Sequence, residues 1–118
     1  MTSRRCLATL SNIDFWFNIK KNSIFIGLDK KCLNRIGEIE QINFDYNLKK
    51  KYIGQNVIVG NISTYNTTYD FNLHLPIQGF ITNFNMNETK YNHKTWLIEM
   101  LDDDFYLQSE YYKYEYGL

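Results

Sequence analysis

Between Phe71 and Leu75, apolar and polar residues alternate strictly. Phe71, Leu73 and Leu75 fall on one face, Asn72 and His74 on the other. A period of two is that of a strand with one buried face. Similar short runs, each bounded by turn residues, recur along the chain. Asp14 to Ile19 and Ser23 to Leu28 read as a hairpin turned at Asn22. Glu38 to Phe44 is strand-like, with Ile42 and Phe44 on one face. Ile39 is off that register, which predicts a bulge. Asn56 to Ser63, Phe80 to Asn85 and Thr95 to Leu101 are further strands. Two stretches change period. Asp29 is placed to cap a short helix carrying Cys32, Leu33 and Ile36 on one face, and Gly37 ends it. Asp102, Asp103 and Asp104 are placed to cap a terminal helix, with Phe105, Leu107, Tyr111 and Tyr112 as its packing stripe. The expected fold is mainly β, a flattened barrel or sandwich of short strands with one short inner helix and a C-terminal helix.

At 118 residues the chain holds one domain. No linker or repeat divides it, and its apolar runs are too short for a transmembrane helix. The domain is expected over residues 14–118. Residues 1–13, opening "MTSRRCLATL", read as a disordered or presequence-like start. Lys49, Lys50 and Lys51 read as a solvated turn before Gly54. Thr64 to Thr68 reads as a polar hairpin tip, and Pro76 and Gly79 bracket a tight turn.

Charge narrows the function classes. Lys and Arg number 13, Asp and Glu 13, so the net charge is zero. Binding nucleic acid without sequence preference needs surplus positive charge to displace counterions. A local patch of Lys20, Lys21, Lys30, Lys31 and Lys49 to Lys51 is the one route left to an aromatic-rich nucleic-acid-binding barrel. Catalytic chemistry finds little to build on. His74 lies on an outer strand face and His93 in a polar loop, with no acidic or cysteine neighbour at ligand spacing. Cys6 and Cys32 are too few for a disulfide framework and too far apart for a metal motif. The glycines are dispersed and form no phosphate loop. Asn-x-Ser/Thr triplets begin at Asn61, Asn66 and Asn87, as chance supplies in a chain with fourteen asparagines. The reading is a non-enzyme without catalytic or metal residues.

The order of features from Asp14 to Tyr116 resembles the H protein of the glycine cleavage system, a member of the lipoyl-domain family. Asp14-Phe15-Trp16 is similar to the family's His-Glu-Trp opening. "SIFIGLD" resembles the strand written V-x-V-G-I-T-D. "CLNRIGEIEQINF" is similar to L-G-D-[IV]-V-x-V-x-L-P, with Gly37 on the glycine. Gly54 falls on the glycine of K-x-G-[DE]. Pro76-Ile77-Gln78-Gly79 resembles the P-[VI]-S-G turn, Phe80 to Asn85 the strand after it, and "TWLIEM" the G-W-[LM]-x-K-[IV] strand. The loop from Asn85 to Lys94 is shorter than its counterpart in the family.

The resemblance implies a lipoyl-domain-like fold and lipoate carried on a lysine in E-S-x-K at a hairpin tip. That lysine is absent. Counting forward from Gly54, its position falls on Thr64, and counting back from Pro76 it falls on Thr68. No lysine stands between Tyr52 and Thr89, and a threonine hydroxyl cannot form the lipoyl amide. Lipoate, the cofactor expected from the family, has no attachment residue here. The chain therefore reads as a non-catalytic interaction or structural subunit of a larger complex. Tyr65, Tyr69, Tyr111 and Tyr112 are its candidate partner-binding residues. The resemblance also implies partners in glycine decarboxylation: the pyridoxal-phosphate decarboxylase, the folate-dependent aminomethyltransferase and dihydrolipoamide dehydrogenase. A carrier or regulator within that system is the alternative. The compartment stays open between mitochondrial matrix and bacterial cytoplasm.

Overall fold

The computed structural model describes residues 6–11, 14–20 and 23–101. Two antiparallel-rich sheets form the domain. The first runs β1 (Cys6–Thr9), β7 (Asp70–His74), β6 (Ile58–Thr64), β4 (Ile39–Phe44). The second runs β2 (Phe15–Lys20), β3 (Ser23–Leu28), β9 (Trp96–Leu101), β8 (Gly79–Phe84), β5 (Tyr52–Ile53). One helix, α1 (Lys30–Ile36), joins β3 to β4. The sheets do not close on one another, so the flattened-barrel alternative gives way to two open sheets. A period of two sets which face of a strand is buried. It carries no information on whether sheet edges join.

The β2–β3 pair keeps unbroken register, from Phe15 opposite Leu28 to Lys20 opposite Ser23. Its expected turn residue, Asn22, lies outside the described residues. Phe15 and Phe17 point to the core while Asn18 and Lys20 are exposed. The expected bulge in β4 is present as a register shift between Ile39 and Gln41. Ile62, Leu73, Leu75, Ile77, Ile81, Ile98 and Met100 reach 0% exposure where the sheets face each other. Burying side chains of this size stabilises by about 1.5–3 kcal/mol each. Phe44 of the first sheet stacks on Phe84 of the second at 4.8 Å, so β4 lies over β8.

Ordered pairing begins before residue 14. β1 pairs in parallel with β7, and Leu10 is buried at 1% exposure. Nothing in "RRCLATL" predicts this, because the pairing is made across most of the chain's length. β6 begins at Ile58, later than expected, because Asn56 takes positive φ in a turn. Lys50 does the same in the expected lysine turn. On the outer face of the first sheet, Asn43, Asn61, Asn72 and Thr9 form one row across the four strands. Asn43 donates to Asn61 at 3.1 Å and Asn72 to Thr9 at 3.4 Å. Asp102 to Asp104, Tyr111, Tyr112 and the expected terminal helix lie outside the described residues. Among the described residues no helix is long and apolar enough to cross a membrane.

Candidate functional site

The tip between β6 and β7, which carries Thr64 and Thr68, docks onto the α1–β4 junction. α1 forms because its ends are chemically specified. The Asp29 carboxylate accepts from the Cys32 N–H at 2.7 Å, and Gly37 closes the helix with φ 86°. Asp14 holds the helix from below. Its carboxylate pairs with Arg35 at 2.6 Å and accepts from the Ser11 N–H and hydroxyl at 2.7 and 3.0 Å. The Arg35 hydrogen bond to Asp14 raises the guanidinium pKa further. The Asp29 N–H donates to the Asp14 carbonyl at 2.9 Å. Helix start, helix end and the entry to β2 thus share one anchor.

Against this base the tip is tied in place. The Tyr65 N–H donates to the Glu38 carbonyl at 3.0 Å. The Asn66 side chain packs directly over Gly37, where an added methyl would overlap its amide. Inside the tip, the hydroxyls of Thr64 and Thr67 lie 2.9 Å apart, and Thr67 donates to the Tyr69 carbonyl at 2.8 Å. Ser63 donates to Asp70 at 2.9 Å, both buried. Of the two threonines that the resemblance puts at its attachment position, Thr64 is 1% exposed and Thr68 is exposed. Tyr65 is 63% exposed and free to meet a partner surface. Tyr69 is half-buried with its ring edge on Phe71 at 5.3 Å. The structure therefore divides the expected tyrosines, leaving Tyr65 as the exposed ring of the tip.

Beside the tip, a cleft of about 500 Å³ lies between the α1–β4 junction and the 89–91 segment. Leu33, Ile39 and Tyr91 give it apolar walls, and Glu38 and Lys90 bring one charge of each sign. Burial raises the Tyr91 phenol pKa, with Glu88 and Tyr46 adding to the effect. The cleft was not legible in the sequence, because the β8–β9 connection reads there only as a polar loop.

The other titratable candidates scatter. Burial, with Asp14 beside it, pushes the Cys32 thiol up to about 12, so it stays protonated and unreactive at neutral pH. Native protein is expected to leave Cys32 unalkylated by iodoacetamide, and urea to expose it, as peptide mass mapping reads. His74 stands on β7 with its Nδ1 buried and unpartnered among the described residues. His93 lies in the β8–β9 connection, at a shallow groove with Trp16. No group of three His, Cys, Asp or Glu suited to a metal ion occurs among the described residues. Burial lowers the His74 pKa below 6.5. As pH falls below that value the unfolded chain takes up a proton that the folded chain refuses. Stability is therefore lost below pH 6.5 until the folded histidine itself titrates. The fall in Tm from pH 7 to 5 is expected to be smaller in His74→Gln than in the parent.

Lys21 lies outside the described residues, and the described lysines of the expected patch do not gather in one place. Lys30 and Lys31 follow the β3 end beside Phe15, whereas Lys20 ends β2 at the far side, roughly 17 Å along the strand. Lys50 and Lys51 bond to Ile81 of β8, across β9 and β3 from β2. Asn61, mid-strand, is engaged by Asn43, Asn66 is spent on Gly37, and Asn87 is exposed in a loop. No family model matches the chain, and no curated protein matches it.

Proposed function

We propose that this chain is a lipoyl-domain-like scaffold, akin to the H protein of glycine cleavage, that works by protein contact rather than by carrying lipoate. In this reading it is a non-catalytic subunit of a larger assembly. The observation that carries it is the tip between β6 and β7. A swinging-arm carrier needs a primary amine there, on a turn that leaves the arm free. This tip offers a buried Thr64, its hydroxyl engaged with that of Thr67, and an exposed Thr68 instead, and is strapped to Gly37 and Glu38. A rigid tip with an exposed Tyr65 suits docking, because an aromatic ring brings large contact area at low entropic cost.

Native isolation with identification of everything that co-elutes tests the reading. The chain is expected in an assembly well above its own 14.2 kDa. Co-elution of glycine-cleavage enzymes would place it as a regulator or holder of that system. A different large complex would make it an architectural subunit recruited elsewhere. Recovery as a lone monomer contradicts the proposal.

A further inference from the structure

Among the described residues the first sheet ends on β4, and the hydrogen bonds of that strand fix which way its backbone faces. Tyr65 N–H donates to the Glu38 carbonyl at 3.0 Å, and Asp45 N–H donates to the Val59 carbonyl at 2.8 Å. Bonding in an antiparallel ladder alternates residue by residue, and the bulge between Ile39 and Gln41 resets the alternation. Ile39, Ile42 and Phe44 therefore turn their N–H and C=O groups away from β6. Nothing among the described residues pairs with these groups. At its Ile39 end this edge opens into the 500 Å³ cleft beside the tip.

We infer that the β4 edge and the cleft together bind an extended segment of a partner protein. The segment adds a fifth strand to the sheet and seats one apolar side chain among Leu33, Ile39 and Tyr91. Unpaired main-chain donors and acceptors in a row call for another main chain as their complement. The adjoining cleft supplies side-chain selectivity that the edge alone lacks. Charge decides against a second copy of this chain as the occupant. Antiparallel pairing of two copies about Ile42 would match the outward groups, but it would bring the carboxylates of Glu38 and Asp45 from the two copies to neighbouring positions. A partner segment with a basic residue flanking its apolar anchor complements those same carboxylates. This inference rests on the reading of the chain as an interaction subunit and names how that interaction is made.

Residue-resolved amide hydrogen exchange, on the full chain alone and in its natively isolated complex, tests it. In the free chain, Ile42 and Phe44 amides are expected to exchange about 100-fold faster than that of Asn43, which bonds to β6. In the complex, Ile42 and Phe44 are expected to slow by at least about 10-fold while Asn43 changes little. Asn34→Trp, an exposed α1 position at the cleft, is expected to weaken association about 10-fold with Tm unchanged. Equal protection of Ile42, Phe44 and Asn43 in the free chain overturns the inference, since the edge would already be covered. Slowing that grows with the concentration of the chain alone overturns it in favour of self-pairing. A complex that forms without slowing Ile42 and Phe44 overturns it while the interaction reading stands. A chain recovered alone overturns both.

Discussion

Gly37→Ala is expected to destabilise the protein by about 3 kcal/mol, from two separable causes. Gly37 has φ 86° and ψ −167°. That region is essentially reserved for glycine, and a side chain there costs roughly 1–3 kcal/mol. The added methyl also overlaps the Asn66 amide, which must leave its seat. Moving Asn66 strains the neighbouring Tyr65-to-Glu38 bond and loosens the tip. Asn66→Ala in the Gly37→Ala background removes the overlap but not the backbone cost. The double variant is therefore expected to regain about 1 kcal/mol, a coupling that a double-mutant cycle in urea reads directly. A Gly37→Ala variant as stable as the parent contradicts this account of the tip.

Asp14→Ala and Arg35→Ala are each expected to cost about 2–3 kcal/mol, for different reasons. The reasons follow from exposure: the Asp14 side chain is 2% exposed and that of Arg35 is 56% exposed, so Arg35→Ala leaves a buried carboxylate without its counter-charge. Arginine left without its partner returns its charge to water. Removing the carboxylate leaves the Ser11 N–H and hydroxyl without their acceptor and frees the base of α1. Thermal melts of the two variants read these losses, and an Asp14→Ala variant as stable as the parent contradicts the assignment of Asp14 as the anchor.

The parts of this fold that were legible in the sequence are those fixed by neighbouring residues. Asp29 and Gly37 mark the ends of α1 because a carboxylate cap and a positive-φ glycine act within one turn. Ile39 betrays the β4 bulge because it breaks its own strand's alternation. The β2–β3 hairpin follows from two adjacent runs. Illegible parts depend on residues far apart in the chain. β1 is recruited by β7, and β5 is only two residues long, too short to show a period. The apolar and polar faces were readable, but the open edges that make two sheets rather than a barrel were not.

The candidate site divides the same way. The absence of lysine between Tyr52 and Thr89 is a fact of sequence, and so is the run of tip residues from Thr64 to Thr68. The seat of Asn66 over Gly37 is not, because nothing local to either residue announces the other. Asp14 reads in sequence as the start of a strand, and its hold on Arg35 emerges only when α1 folds back over β2. Tyr65 and Tyr69 look equivalent in sequence. The Phe71 ring separates them by covering one and leaving the other exposed.

The intact mass of the chain isolated natively from its source tests the central claim most directly. Non-carrier function predicts a mass set by the polypeptide, with no lipoyl group on any lysine, while the chain remains in its assembly. A lipoyl increment, mapped to Lys51, Lys90 or any other lysine, would restore the carrier role and contradict the account.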